Sequence, residues 1–112
     1  MGKNKLMRFA ENETFENLFQ HTEFQAREEQ FPLKGKWRTE YFKNENPIIL
    51  ELGCGKGEYT IGLAKAFPNQ NFIGIDRKGA RLWRGCKDGI EQGIRNAAFL
   101  RIKIEDIEYY FE

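Results

Sequence analysis

Short apolar runs alternate along this chain with stretches in which apolar residues recur every fourth position. Three of the runs have turn-forming residues at both ends, namely Ile48–Leu52, Asn71–Asp76 and Ala97–Ile102. Continuous apolar runs of this length are typical of parallel strands that are buried on both faces. The pattern therefore predicts an α/β fold with the element order β-α-β-α-β, right-handed crossovers and the strand order third, second, first.

Two helices are predicted between these strands, one over 58–67 with Pro68 directly after it and one over 78–92 before Gly93. Apolar residues spaced by four lie on one face of a helix, so we expect the apolar face of each of these two helices to be buried. The repeats are Tyr59, Leu63 and Phe67 in the first helix and Leu82, Cys86 and Ile90, with Trp83 alongside, in the second. A third helix is predicted over 105–111.

The first part of the chain is polar, rich in aromatic residues and only weakly periodic. We therefore interpret 1–46 as an N-terminal extension of short helices and loops, and 47–112 as the sheet-forming domain. Thr14 is a candidate cap for a short helix over 14–20. An ordered loop over 31–37 is expected next, because Pro and Gly punctuate a stretch of apolar residues. A second short helix would bury one face, made of Trp37, Tyr41 and Phe42.

The overall charge does not identify a partner. Lys and Arg number 18 against 17 Asp and Glu, for a net charge of +1. Only local clusters are therefore able to attract a nucleic acid. One such cluster lies at the start of the chain, where a solvated end is the interpretation we favour over an RNA contact; it consists of Lys3, Lys5 and Arg8.

The cysteines and the hydropathy pattern favour a cytoplasmic protein without a metal site or a membrane anchor. Cys54 and Cys86 lie far apart without metal-ligand spacing, which is typical of reduced thiols in the cytosol. The chain contains no apolar run long enough to cross a bilayer, and its start lacks the apolar core of a signal peptide. His21 has no evident partner, so we expect a surface residue rather than a catalytic base.

A glycine-rich turn follows the first strand, and its spacing narrows the choice of ligand. The sequence from 51 to 58 reads Glu-Leu-Gly-Cys-Gly-Lys-Gly-Glu. A dinucleotide fingerprint requires glycine at its first, third and sixth positions, but the sixth position here is Glu58. A carboxylate at a helix start would repel a pyrophosphate. A Walker loop is also excluded, because no Gly-Lys-Ser/Thr follows the turn.

The acids beside the turn favour a ligand with a cationic part and no phosphate. Glu51 precedes the first glycine, and Asp76 ends the second strand. S-adenosylmethionine fits this arrangement, because Glu51 would oppose its amine and sulfonium charges while Asp76 would accept hydrogen bonds from its ribose hydroxyls. A glycine-rich turn with incidental acids is the alternative interpretation.

With these residues, the chain resembles the N-terminal half of the bacterial tRNA guanosine-N7 methyltransferases. The resemblance covers nearly the whole chain, and the segment Lys-Gly-Ala-Arg-Leu-Trp at 78–83 is its most specific part. The other matching segments are Phe-Pro-Leu-Lys-Gly-Lys-Trp at 31–37, Ile-Leu-Glu-Leu-Gly-Cys-Gly-Lys-Gly-Glu-Tyr at 49–59 and Asn-Phe-Ile-Gly-Ile-Asp at 71–76.

The resemblance implies a partial Rossmann-like methyltransferase fold, S-adenosylmethionine as cofactor and tRNA as substrate. Many family members end the third strand with an Asp-Ala pair near the adenine, where this chain has Lys103 and Ile104. The resemblance still implies a backbone contact at that point. The implied cofactor-binding residues are Glu51, Gly53, Cys54, Gly55, Gly57, Asp76, Arg77 and Ile104.

The same resemblance implies that the proposed catalytic aspartate lies beyond Glu112, so no residue here takes that position and the chain alone is expected to be inactive. Transfer of a methyl group to guanine N7 uses a free lone pair, so no strong base is required. A non-catalytic nucleotide- or RNA-binding fragment and a truncated product without independent function are the alternatives. We also expect the first strand to have a free edge that favours self-association.

A second basic cluster begins the second predicted helix. Cations near a helix start oppose its dipole, so the cluster is easier to explain if it meets an anion such as a tRNA phosphate. A solvated helix face, compensated by Asp88 and Glu91, is the alternative. The cluster consists of Arg77, Lys78, Arg81 and Arg84.

Overall fold

A computed structural model of the protein describes residues 2–20 and 30–111, with side chains from Lys5 onwards. His21 lies outside the described residues. We number the α-helices and strands separately in chain order. The helices are α1 (Gly2–Asn12), a short π-helix (Trp37–Phe42), α2 (Glu58–Ala66), α3 (Gly79–Glu91) and a 3₁₀-helix (Ile104–Tyr109); the strands are β1 (Leu18–Gln20), β2 (Ile48–Leu52), β3 (Asn71–Asp76) and β4 (Ala97–Arg101).

The strands form one parallel sheet in the order β1-β4-β3-β2. The predicted order of the three long strands is therefore confirmed, and β1 adds a further strand beside β4. Every residue of β3 is buried, as expected for a central strand that is covered on both faces.

Two hydrophobic cores lie on opposite faces of the sheet. One contains α2 and α3 residues such as Ile61, Leu82 and Cys86. The other is built largely from the aromatic lead-in and the chain end, including Phe31, Trp37 and Tyr110. The Trp37 indole N–H donates to the Tyr110 carbonyl at 2.9 Å, which joins these two segments.

The predicted helix over 14–20 is wrong. Thr14 closes the end of α1 instead of starting a helix, because its backbone N–H and its hydroxyl both donate to the Glu11 carbonyl, at 2.8 and 2.7 Å. Leu18 then packs in the core with α2 and α3, while the next residue, Phe19, packs against the opposite core. This alternation is the period of a strand, and β1 pairs with β4 accordingly.

The described part of the chain start is solvated as expected, with Leu6 and Met7 71% and 50% exposed, but it is not frayed, because Gly2–Asn12 form helix α1. Helix α1 packs against α3. The buried Asn12 amide donates to the Gly79 carbonyl at 2.8 Å, and the Trp83 indole N–H donates to the Glu11 carboxylate at 3.0 Å. These contacts are too distant in sequence for local periodicity to reveal.

The two predicted helix faces are only partly confirmed. In α2 the buried residues are Thr60, Ile61 and Ala64, whereas Tyr59 is 67% exposed and Phe67 is 49% exposed. In α3 Leu82, Trp83 and Cys86 are buried as expected, but Ile90 is exposed. Gly89, the residue before Ile90, is buried instead. A Cβ at this position would lie 2.9 Å from the Asn17 amide nitrogen, so the close packing there requires glycine.

Candidate cofactor site

The glycine turn joins β2 to α2 at the carboxyl end of the sheet, where α/β proteins bind their ligands. Gly53, Gly55 and Gly57 have φ angles of 68°, 59° and 75°. These left-handed conformations strain any residue with a Cβ, so the turn requires glycine at each of the three positions. Helix α2 begins directly after it at Glu58.

The three glycines differ in what surrounds them. A Cβ added at Gly53 or at Gly55 would meet no described atom within 4 Å, so the backbone is open to a ligand there. A Cβ at Gly57 would lie 2.6 Å from the Phe99 ring and 3.1 Å from the Gly85 Cα. The sequence predicts cofactor contacts for all three, whereas the structure gives Gly57 a packing function between the turn, β4 and α3.

Asp76 ties the end of β3 to the glycine turn. Its carboxylate accepts a hydrogen bond from the Gly55 N–H at 3.0 Å and another from the Lys78 N–H at 2.9 Å. The neighbouring Ile75 carbonyl accepts from the Gly53 and Cys54 N–H groups, at 2.7 and 3.0 Å. A carboxylate has about four acceptor positions, so Asp76 retains capacity for ligand hydroxyls while it fixes the turn.

Two carboxylates, those of Glu51 and Asp76, lie at the turn. Burial raises the pKa of Glu51 above its ordinary value of 4.5, and the hydroxyl of Thr60 acts in the opposite direction. Burial, followed by the charges of Asp76 and Glu51, raises the pKa of the Cys54 thiol to about 12. Cys54 is therefore a protonated thiol that lines the turn, and it has no nucleophilic function at neutral pH.

The remaining predicted cofactor residues lie around this centre. Arg77 is exposed and directly follows Asp76. Ile104 begins the 3₁₀-helix after β4 and is 41% exposed. The pairing of β2 with β3 brings residues 51–57 and 76–78 together. Ile104 follows the carboxyl end of the next strand, β4.

Two of the predicted RNA-binding cations, Arg8 and Arg84, come together from two helices on the ring of Trp83. The Arg8 guanidinium of α1 lies 4.5 Å from the Trp83 ring, and that of Arg84 lies 4.7 Å from it. Arg84 also forms an ion pair with Asp88 at 3.6 Å. Arg77, Lys78 and Arg81 are exposed, and the Lys5 ammonium lies 5.9 Å from the Phe9 ring. The side chain of Lys3 lies outside the described residues.

An open groove of about 740 Å³ lies away from this site. Ile48 and Leu50 of β2 form one wall, on the sheet face that carries Trp37. Neither the glycine turn nor Asp76 lines the groove, so the cofactor site lies elsewhere. The other lining residues of the groove are Gly35, Trp37, Arg38, Thr39, Glu45 and Phe111.

A parallel sheet with a glycine turn and an acid at adjacent strand ends defines the class of Rossmann-like nucleotide-binding domains. Within this class, the family described as putative methyltransferases matches residues 45–112, and the chain belongs to that family. A solved structure described as an antibiotic-related methyltransferase matches with a TM-score of 0.57 and 26% identity, over 69% of this chain and 40% of that chain.

Curated relatives carry a more specific name. A tRNA (guanine-N(7)-)-methyltransferase from Christiangramia forsetii is 59% identical over 98% of this chain and 49% of the relative. Proteins of the same name from Bacteroides fragilis and Cytophaga hutchinsonii are 50% and 54% identical. The chain spans about half the length of the curated relatives it matches.

Membrane spans and metal sites are both absent from the described residues. None of their helices combines the length and the apolar character that a membrane crossing requires. No group of three or more His, Cys, Asp and Glu side chains in 2–20 and 30–111 is arranged to hold a metal ion.

Proposed function

We propose that this chain is the cofactor-binding part of an S-adenosylmethionine-dependent tRNA guanine-N7 methyltransferase that acts in the cytoplasm. The names of the curated relatives support the reaction and the substrate. The observation that carries the cofactor assignment is the glycine turn, in which Glu51 lies beside two open glycines and Asp76 closes the adjacent strand.

The residues at the turn fit the proposed cofactor. Its amine and sulfonium are positive, and Glu51 supplies the opposite charge. Gly53 and Gly55 leave room for an approach to the backbone. The free acceptor positions of Asp76 suit a pair of ribose hydroxyls, and Arg77 and Ile104 would border the adenosine part.

In this reaction the bound cofactor supplies an electrophilic methyl group. The acceptor would be guanine N7, whose lone pair is free. Because N7 carries no proton, the contribution of this chain is to bind and orient, and no side chain of the turn needs to accept a proton. We assign no catalytic residue to these 112 residues, and we propose that alone they bind the cofactor without methyl transfer.

We also propose that 47–112 is the first half of the methyltransferase domain and that 1–46 extends it on the tRNA side. Helix α1 and helix α3 present cations on one surface, around Trp83. This surface would contact tRNA phosphates through Lys3, Lys5, Arg8, Lys78, Arg81 and Arg84. Lys and Arg side chains that displace counterions from nucleic-acid phosphates give a binding affinity that falls as the salt concentration rises.

Calorimetric titration tests the cofactor assignment. We expect S-adenosylhomocysteine to bind the chain and NAD to bind far more weakly, because Glu51 and Glu58 repel a pyrophosphate. Asp76→Ala should weaken binding by about 1–3 kcal/mol, because the charged hydrogen bonds to the ribose are removed. Asp88→Ala, which removes a carboxylate on the outside of α3, is the matched control. Equal affinity for NAD would contradict the assignment.

A salt titration tests the tRNA surface. The double change Arg81→Ala and Arg84→Ala should weaken tRNA binding and reduce the slope of log affinity against log salt by about 0.9 for each phosphate that is no longer neutralised. Arg95→Ala, at an exposed arginine after α3, serves as the control. An unchanged slope would show that this surface is solvated and binds no phosphate.

A further inference from the structure

Arg101 is the last residue of β4 and lies between the N-terminal segment and the strand that carries Asp76. In the sheet register it is opposite Gln20 of β1 on one side and opposite Asp76 of β3 on the other. Because these strands are parallel, their carboxyl ends lie side by side at the same end of the sheet. Arg101 is therefore the residue of β4 closest to both neighbouring strand ends.

The guanidinium of Arg101 makes separate contacts in both directions. One nitrogen, Nη1, donates to the Gln20 side-chain oxygen at 2.9 Å, and Nε donates to the Arg77 carbonyl at 3.3 Å. Its central carbon lies 5.3 Å from the centre of the Phe9 ring on α1. A Cβ added at Gly79 would lie 3.0 Å from the guanidinium, so the glycine at the start of α3 provides the space that Arg101 occupies.

We propose that Arg101 is a positioning residue. It connects α1 and β1 to the backbone at 76–78, and this backbone holds the glycine turn in place. The Arg77 carbonyl that it binds lies between Asp76 and Lys78, and Asp76 binds the N–H groups of both Lys78 and Gly55. Arg101 thereby restrains the backbone on which the carboxylate of Asp76 is carried. Its consequence for cofactor affinity rests on the proposed function, whereas the restraint itself does not.

An arginine suits this position better than a lysine. Its planar fork directs separate N–H groups at two acceptors while its face covers an aromatic ring. The ammonium of a lysine is a single point charge and does not reproduce this planar arrangement. Arg101→Lys should therefore restore only part of the restraint that Arg101→Ala removes.

Amide hydrogen exchange of the 112-residue chain without ligand tests the restraint directly. In Arg101→Ala we expect the Gly55 and Lys78 amides to exchange about 2- to 10-fold faster, the equivalent of removing one hydrogen bond. The Phe67 amide, which donates to the Leu63 carbonyl at 2.8 Å, is the internal reference and should not change. Arg95→Ala is the matched arginine control.

Three results would overturn the proposal. Unchanged exchange rates of the Gly55 and Lys78 amides would show that Arg101 does not restrain the backbone at 76–78. An equal acceleration at Phe67 would show a general loss of stability, and full recovery in Arg101→Lys would show that a positive charge alone is sufficient. Gly79→Ala adds a further check: it should accelerate Gly55 exchange in the parent chain but not in Arg101→Ala, because the two changes act on the same interaction.

Titration with S-adenosylhomocysteine then separates this inference from the proposed function. We expect Arg101→Ala to raise the dissociation constant about 2- to 10-fold, with no change in Arg95→Ala. If the parent chain does not bind S-adenosylhomocysteine, the proposed function is wrong, and the exchange rates still decide the positioning of the turn. Altered exchange with unaltered affinity would overturn the link to the cofactor.

Discussion

The two edges of the sheet are built in opposite ways. Beside β4, the chain's own N-terminal segment adds β1, buries Leu18 and brings Gln20 to Arg101. At the other edge β2 has no neighbouring strand beyond β3 among the described residues, and Ile49 and Leu52 are 39% and 52% exposed. One edge strand, β1, is held by contacts distant in sequence and buries Leu18, while the edge strand that carries the glycine turn, β2, presents apolar side chains to solvent.

The glycine turn of the candidate site and exposed apolar side chains both belong to the β2 edge of the sheet. Tyr59 at the start of α2 and Phe67 directly after it are also exposed. An unpaired apolar strand without lysine or proline is a template for pairing with another chain. Three predictions test this difference between the edges, in order of decreasing expected effect.

The largest effect is expected at the β1 edge. Leu18→Ala should lower the free energy of unfolding by about 2–5 kcal/mol, because it leaves a cavity in a packed core. Leu52→Ala, the same change at the exposed edge, should stay within about 0.5 kcal/mol. Urea denaturation of both variants measures the difference. Similar values for the two would show that β1 contributes no more to the fold than an exposed position.

The next prediction concerns the acid at the open edge and uses pH. The pKa of Glu51 is raised by burial in the folded chain, so folding favours its protonated form. As pH rises from the ordinary value of 4.5 through the raised pKa, this contribution to stability should be lost. Affinity for the cationic cofactor should increase over the same window, because the ionised carboxylate binds it.

Melting temperatures and calorimetric titrations at a series of pH values measure these two opposite trends. Glu51→Gln is the matched variant, since it removes the titration and keeps the size of the side chain. Both trends should be absent from it. If Glu51→Gln follows the parent chain at every pH, a group other than Glu51 is responsible.

The smallest effect on stability is expected from a charge on the free edge. Ile49→Lys should change the free energy of unfolding by no more than about 0.5 kcal/mol, because the residue is partly exposed. It should nevertheless reduce the self-association that we predict for the parent chain, since a lysine on an edge strand opposes pairing. Sedimentation velocity measures the monomer and the self-associated form of each variant. A monomeric parent chain would contradict the predicted association.

Local patterns were sufficient for the parts of the molecule in which each residue is constrained by its neighbours in sequence. The run Asn71–Asp76 is buried at every position and forms the predicted central strand. Gly93, predicted to stop α3, has a φ of 66° directly after the helix cap. The assignment of cofactor and RNA contacts to individual residues remains a prediction.

Periodicity failed where packing partners come from distant segments. A spacing of four grouped Tyr59 with Phe67, yet the sheet covers only the side of α2 that carries Ile61 and Ala64. Leu18 and Phe19 fall within the predicted helix over 14–20, but they belong to a strand and pack against opposite cores. Spacing gives the faces of an element and does not say which of them will be covered.

The β-α-β-α-β order, the glycine turn and the placement of Glu51 and Asp76 at strand ends could all be predicted from local sequence. These features follow from backbone sterics and from the burial of short apolar runs, which act within a few residues. Only the tertiary structure decided that Gly57 packs on Phe99, that Asp76 binds the Gly55 N–H and that Arg101 joins β1 to the turn. Those contacts link segments far apart in the chain, and their partners are chosen by how the helices and strands pack together.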